Sequence, residues 1–162
     1  MIRIVAGEFR GRRLGVGPGV RPTTERAREA LFSILGDRVR DARVLDAAAG
    51  SGALGFEALS RGAASAVFVE ADRRVARVIE ANVALVGARD RAAVVVRTVA
   101  AFLRIDRPTG FDLVFFDPPW AEPVASELDG LWRAVSPGGI FVLERGSGGA
   151  DPWPEAPRTP TT

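Results

Sequence analysis

The tetrapeptide Asp117-Pro118-Pro119-Trp120 has the residue types best suited to chemistry on an aromatic amine. A carboxylate and a carbonyl can both accept hydrogen bonds from an exocyclic amino group, which localises a lone pair otherwise delocalised into the ring. Consecutive prolines fix φ and hold the Pro118 carbonyl in place, while the Trp120 indole can stack on an unpaired base. We predict that this segment orients a base amine. The competing interpretation is a turn that ends a strand, with Trp120 in the core.

A second constellation is the glycine loop that follows Asp46, in which Gly50 and Gly52 permit a tight turn and close approach of a ligand. Glu70 lies 20 residues after Gly50, where a carboxylate can bind ribose hydroxyls. With Gly55 the loop also spells G-x-G-x-x-G, so an NAD or flavin site remains a rival. Asp46 favours S-adenosylmethionine, because an acid lies badly beside a pyrophosphate but well beside a sulfonium. Alternatively, Asp46 caps backbone amides.

An α/β scaffold is needed to position both constellations, and the chain alternates short apolar runs with helical segments. The predicted strands are 43–45, 66–70, 93–97, 113–116 and 140–143, and the predicted helices between them are 53–61 and 73–86. This pattern predicts a doubly wound α/β fold with a mostly parallel, Rossmann-like sheet covered on both faces. Ligands bind beyond the carboxyl ends of such strands, so we expect the site after strands one, two and four.

The N-terminal region predicts a β-hairpin from residues 2–6 and 12–16, then a helix with Thr24 as its N-cap. The expected buried face of that helix consists of Ala27, Ala30, Leu31, Ile34 and Leu35. We divide the single structural domain into an Arg-rich N-terminal region (1–40), a cofactor-binding core (41–145) and a Gly/Pro-rich tail (146–162), which we interpret as loop or disorder.

Composition excludes several enzyme classes. Cys and His are absent, which removes thiolate nucleophiles, imidazole bases and the usual zinc ligands, so no metal site is expected. Residues 1–43 contain ten Arg and five acids, whereas the remainder contains twelve Arg and fifteen acids. Clustered Arg favours a polyanion partner, although a solvated face would have the same composition. Without a signal peptide or a long apolar stretch, we expect a soluble, cytoplasmic monomer.

These motifs together resemble the bacterial RsmD-type 16S rRNA guanine-N2 methyltransferases, over about residues 2–145. The matching strings are Ile2-Arg-Ile-Val-Ala-Gly, Gly11-Arg-Arg-Leu14, Arg21-Pro-Thr-Thr-Glu-Arg-Ala-Arg-Glu-Ala-Leu-Phe32, Gly50-Ser-Gly-Ala-Leu-Gly55, Glu57-Ala-Leu-Ser-Arg-Gly-Ala63, Phe68-Val-Glu70 and Asp117-Pro-Pro-Trp120. The string that begins at Arg21 discriminates best, because DNA amino-methyltransferases share the glycine loop and the Asp-Pro-Pro-aromatic motif.

The resemblance implies S-adenosylmethionine as cofactor, ribosomal RNA or the small subunit as partner, and three sets of site residues. The implied catalytic residues are Asp117, Pro118, Pro119 and Trp120. The implied cofactor-binding residues are Asp46, Ala48, Gly50, Ser51, Gly52, Glu70, Ala71, Val99 and Ala100. The implied RNA-binding residues are Arg3, Arg10, Arg12, Arg13, Arg21, Thr23, Thr24, Arg26 and Arg28.

The sequence departs from the family pattern in three respects. Ala47 and Ala48 replace a Leu and an aromatic residue, and Val99 replaces an acid that often contacts the adenine, so backbone groups would have to replace that contact. The usual Tyr-Gly-Asp stretch is absent after Glu144, so we expect the C-terminal strands to be missing or altered.

The sequence therefore predicts methyl transfer to guanine N2 of small-subunit rRNA. Two alternatives remain open. One is a DNA adenine-N6 or cytosine-N4 methyltransferase with the same catalytic loop, and the other is a catalytically impaired RNA-binding protein. A dehydrogenase is a third, weaker rival.

Overall fold

The computed structural model describes residues 1–119 and 125–144 as alternating strands and helices. The strands are β1 (Ile2–Arg3), β2 (Arg13–Leu14), β3 (Arg43–Ala47), β4 (Ser65–Glu70), β5 (Ala92–Val96), β6 (Phe111–Phe116) and β7 (Val135–Leu143). The helices are α1 (Glu25–Leu35), α2 (Ala53–Ser60), α3 (Arg73–Val86), α4 (Val99–Ile105) and α5 (Ala125–Ala134), with a 3₁₀ turn at Gly36–Val39. Trp120 and the tail 146–162 lie outside the described residues.

Five of these strands form one sheet in the order β5-β4-β3-β6-β7, and every neighbouring pair is parallel. The predicted doubly wound α/β fold is confirmed. The chain runs outward from β3 through β4 to β5 and then crosses back to β6, which places a topological switch point between β3 and β6. In sheets of this kind ligands bind in the crevice at that point.

The predicted N-terminal hairpin is also confirmed, as β1 pairs antiparallel with β2. Two helices were not predicted, α4 and α5. The first has only 7 residues, too few for a clear periodic pattern, and its beginning is marked by the Thr98 hydroxyl, which accepts a hydrogen bond from the Ala101 amide at 3.1 Å. In the described part of the chain β7 is the last strand, so the predicted change in later strands is not addressed.

The two faces of the sheet carry separate hydrophobic clusters, because alternate strand residues point to opposite sides. Val44 and Phe115 pack with α1, α2, α3 and the hairpin. Leu45 and Val114 pack with α4 and α5 on the other face. The hairpin therefore shares one core with the sheet.

The first residues of the chain are fixed to α2 by a buried carboxylate. Glu57 has no exposed surface and accepts hydrogen bonds from the amides of Val5 and Ala6, each at 3.1 Å. Its other partner is the Arg61 Nε at 3.0 Å. One turn further along α2, the Ser60 hydroxyl accepts from the amide of Phe9 at 2.9 Å. These contacts attach residues 1–24, which we call the N-terminal arm, to the core.

The predicted buried face of α1 is confirmed at Leu35 and in part at Leu31, which packs against the same core, but it is wrong at Ala27, Ala30 and Ile34. The residues that α1 buries are Arg28, Phe32 and Leu35, whereas Ile34 is 83% exposed. Phe32 packs on Phe115 of the sheet at a ring-centroid distance of 5.9 Å, which rotates the alanine stripe toward solvent. Arg28 is buried because its stem packs inside, while its Nη2 donates to the Arg3 carbonyl at 2.8 Å.

Removal of the Glu57 carboxylate should detach the arm. In Glu57→Ala two amides and a guanidinium lose their acceptor, so we expect the free energy of unfolding to fall by about 3 kcal/mol. Urea denaturation measures this change. Glu80→Ala, at an exposed position of α3, is the matched control and should change stability by less than about 0.5 kcal/mol. Equal stabilities of the two variants would contradict the anchoring role of Glu57.

Candidate active site

A cavity of about 870 Å³ opens at the carboxyl ends of β3, β4 and β6. It brings together most of the predicted cofactor and catalytic residues. Those that line it are Asp46, Ala48, Gly50, Ser51, Glu70, Ala71, Val99, Asp117, Pro118 and Pro119. Gly52 and Ala100 do not line it, and Trp120 lies outside the described residues. The glycine turn and the Asp-Pro-Pro segment therefore face one shared space.

The glycine turn is built by residues that leave the ordinary backbone regions. Gly50 has a φ of 56° and Ala48 a φ of 57°, and only glycine adopts such angles without strain. Gly55, one turn into α2, is needed for a different reason. A Cβ at this position would lie 2.3 Å from the Phe68 ring, so α2 approaches β4 closely only with glycine here.

Glu70 ends β4 and crosses to the glycine turn. Its Oε2 accepts a hydrogen bond from the amide of Gly50 at 2.9 Å, and its Oε1 accepts from Asp72 at 2.9 Å. Each carboxylate oxygen has a second lone pair, so these bonds leave acceptor capacity toward the cavity. The Gly50 amide, in contrast, is already engaged by a carboxylate, which disfavours a phosphate at the same place.

Asp46 is almost fully buried at the end of β3, with 4% of its surface exposed. Its Oδ2 accepts from the amide of Gly55 at 2.9 Å, so the backbone-capping role is real and coexists with a position in the cavity wall. Burial, reinforced by the nearby charges of Asp117 and Glu70, raises the pKa of Asp46 to about 8. A cation beside this group would favour its ionised form.

Asp117 follows β6 directly beside the end of β3, where Ala47 pairs with Phe116. Burial, together with the charge of Glu144, raises its pKa to about 6. A carboxylate with this pKa is ionised at neutral pH and can accept a hydrogen bond. Pro118 and Pro119 line the same part of the cavity.

Several cavity residues were missed by sequence reasoning. Glu144 follows β7, and its amide donates to the Phe116 carbonyl at 3.0 Å, so it lies beside Asp117 on the neighbouring strand. Glu127 comes from α5, and Arg97 and Thr98 follow β5. Glu144 also follows a predicted strand, the fifth, and parallel strands end at one edge of the sheet. The sequence-based prediction of the site included only the ends of strands one, two and four.

Charge distinguishes this cavity from a dinucleotide site. Five carboxylates line it, those of Asp46, Glu70, Asp117, Glu127 and Glu144, against the two guanidinium groups of Arg21 and Arg97. Even with Asp46 neutral, as its raised pKa implies without a cation beside it, four acids face two guanidinium groups, and this excess of negative charge suits a cationic ligand and opposes a pyrophosphate. No group of three or more acidic side chains within residues 1–119 and 125–144 is placed to hold a metal ion.

The structure separates the predicted RNA-binding residues into different environments. Arg21, Thr23 and Thr24 line the cavity. Arg10, Arg13 and Arg26 are exposed, while Arg3 pairs with Glu25 at 2.8 Å and Arg12 donates to the Leu85 carbonyl at 2.9 Å. The predicted RNA contact of Arg28 is corrected by its burial. Only 1% of its surface is exposed, and its guanidinium binds the protein's own backbone, so it is not available to RNA.

Within the described ranges, no helix combines the length and the apolarity required to cross a bilayer.

A family model matches nearly the whole chain, and known proteins of similar sequence match about four fifths of it. The family model described as conserved hypothetical protein 95 matches residues 2–155. The chain is 46% identical over 132 residues to the ribosomal RNA small subunit methyltransferase D of Escherichia coli, a match that covers 80% of this chain and 66% of that protein. It is 42% identical over 134 residues to the enzyme of the same name from Haemophilus influenzae, covering 80% of this chain and 69% of that protein. The chain thus spans about two thirds of the length of these relatives.

A solved structure of yhhF from Escherichia coli has a similar fold, with a TM-score of 0.79 at 41% identity. The superposition covers 88% of this chain and 80% of that chain.

Protonation of Asp46 makes stability depend on pH. Its pKa is raised from 3.8 to about 8, so its stabilising contribution is complete below pH 4 and is lost as pH rises through 8. Asn is neutral throughout and keeps an acceptor for Gly55. We expect the free energy of unfolding of Asp46→Asn, relative to wild type, to increase by at least about 1.4 kcal/mol between pH 5 and pH 8 in urea titrations. For the control Asp129→Asn, on the exposed side of α5, the free energy of unfolding should change with pH by the same amount as that of wild type. Parallel behaviour of Asp46→Asn as well would disprove the assigned protonation.

Proposed function

Because the chain belongs to the family of ribosomal RNA small subunit methyltransferase D, we propose that it transfers a methyl group from S-adenosylmethionine to the exocyclic N2 of a guanine in 16S rRNA. The observation that carries this proposal is the shared cavity, in which the glycine turn and Glu70 face Asp117 and Pro118. We place this activity in the cytoplasm, where ribosomal subunits assemble.

The residues at the nucleoside end fit this cofactor. When bound, S-adenosylmethionine supplies an electrophilic methyl group on a positively charged sulfur. Glu70 would accept hydrogen bonds from the ribose hydroxyls with the lone pairs that its two backbone bonds leave over. Asp46 and Asp117 would stabilise the positive charge, since both carboxylates lie in the cavity wall. Ser51, Ala71 and Val99 would enclose the remainder of the nucleoside.

The residues at the other end would prepare the amine. The Asp117 carboxylate and the Pro118 carbonyl would each accept one N–H bond, so that the nitrogen pyramidalises and directs its lone pair at the methyl carbon. The bound cofactor would supply the methyl group and retain the sulfur electron pair, and Asp117 or a water molecule would take the proton that the methylated nitrogen loses. Trp120, which follows this segment in the sequence, would stack on the guanine.

Substitution of Asp117 tests the chemical step. We expect Asp117→Ala to lower kcat/KM by about 100-fold or more, because one of two orienting acceptors is lost. The measurement is incorporation of radiolabelled methyl groups into small subunits from a strain that lacks the enzyme. Retained binding of S-adenosylhomocysteine, followed by thermal shift, confirms an intact cofactor site. Asp129→Asn serves as the control with wild-type activity.

The pH profile gives a second readout of Asp117. Since burial raises its pKa to about 6, kcat/KM for wild type should decline below pH 6, as the carboxylate takes up a proton and loses an acceptor. Asp117→Asn should retain weak activity without this decline.

Undiminished transfer by Asp117→Ala, or methylation of duplex DNA in place of ribosomal subunits, would refute the proposal. Preferential stabilisation by NAD would instead establish the dehydrogenase.

Exposed arginines of the N-terminal arm would contact the RNA backbone. Arg10 and Arg13 are exposed and form no ion pair with any described residue. Their guanidinium groups are therefore available to phosphate oxygens.

Salt-dependent binding tests this surface. Arg10→Ala and Arg13→Ala should each weaken RNA binding and lower the slope of log affinity against log salt by about one. Arg104→Ala, exposed on the opposite face of the sheet, should leave both quantities unchanged. If the slopes of Arg10→Ala and Arg13→Ala both equal the slope of wild type, the arm does not bind phosphate.

A further inference from the structure

The segment that joins the hairpin to the cavity lies directly on α3. We call residues 15–20 the strap. Its first residue, Gly15, is held by the side-chain amide of Asn82: the Gly15 amide donates to Oδ1 at 3.0 Å, and Nδ2 donates to the Gly15 carbonyl at 2.9 Å. Asn82 is 97% buried, with 3% of its surface exposed. The carbonyl oxygen and the amino group of this buried side chain are therefore both hydrogen-bonded to the strap.

A second contact holds the strap two residues later. A Cβ added to Gly17 would lie 2.9 Å from the Cα of Val75, so the strap backbone at this point touches the backbone of α3. Gly17 has no left-handed φ, which leaves this close approach as the structural reason for glycine.

The strap leads straight into the wall of the cavity. Val20 reaches the glycine turn, where its Cγ1 lies 3.4 Å from the place of a Cβ on Gly50. Gly19, Val20, Arg21, Thr23 and Thr24 all line the cavity. Asn82 and Gly17 do not line it, so any effect they have on a ligand there must pass through the strap.

We propose that Asn82 and Gly17 are positioning residues that set the affinity for the cofactor, by fixing the strap so that residues 19–24 close one side of the cavity. This inference rests on the proposed cofactor of the site. A buried amide costs free energy unless both of its polar atoms are bonded, and here the bonds are made only if the strap is docked. Docking of the strap and the shape of the cavity wall are therefore linked.

The test measures cofactor affinity and turnover in two variants that disturb the strap from different sides. Asn82→Ala removes the amide, and Gly17→Ala forces the strap away from Val75. We expect each to raise the Kd for S-adenosylhomocysteine about tenfold or more in calorimetry at 10 °C, and to raise KM for S-adenosylmethionine similarly. The kcat at saturating cofactor should stay within about threefold of wild type. Leu85→Ala, an exposed residue of the same helix, is the control with unchanged Kd.

Other outcomes separate this inference from the proposed function. If wild type binds S-adenosylhomocysteine and either variant is folded with an unchanged Kd, the positioning role is overturned, even if that variant is less stable. If wild type itself does not bind S-adenosylhomocysteine, the proposed function fails. Faster hydrogen exchange at residues 16–24 in both variants, with unchanged exchange in β3, identifies strap release as the cause. Should Asn82→Ala not fold, the Kd of Gly17→Ala alone decides.

Discussion

Burial of negative charge beside negative charge is the constraint on which this site depends. Asp46 and Asp117 end neighbouring strands, and Glu70 and Glu144 end the strands on either side of them. Parallel topology makes these ends converge, so the fold itself brings the carboxylates together. Desolvation by burial, and to a smaller extent mutual repulsion, disfavour ionisation and raise the pKa of Asp46 and of Asp117. A bound cation relieves this cost, whereas a bound phosphate would increase it.

The N-terminal arm is part of the site and not an appendage. Glu57 and Ser60 fix its beginning to α2, and Asn82 fixes its middle to α3. Each anchor is a polar side chain at least nine-tenths buried, so its bonding partner must be present in the folded protein. Rigid attachment matters because the end of the arm completes the cavity wall, where small displacements of binding groups have large effects on affinity.

Two features could be predicted from the sequence because they follow from local patterns. One is the sheet, and the other is the convergence of the glycine turn and the Asp-Pro-Pro segment on one cavity. Apolar runs gave the five strands, and strand-end topology placed Asp46, Glu70 and Asp117 together. The face of α1 was predicted only in part, at Leu31 and Leu35, because Phe32 packs on a strand residue more than 80 positions away and no local pattern announces that contact. Asn82 and Glu57 were missed for a similar reason. Their partners are backbone amides distant in sequence, and an isolated Asn or Glu in a helix carries no sign of them.

The spacing of these contacts along the chain has a consequence for biosynthesis. Gly15 meets Asn82 across 67 residues, and Thr23 meets Glu144 across 121. Loop closure over such distances is entropically costly and slow, and a nascent chain cannot form either contact until the later partner has left the ribosomal exit tunnel. This wall of the cavity is therefore completed only after residue 144 has emerged, later than the synthesis of the strands β3, β4 and β6 whose ends form its floor.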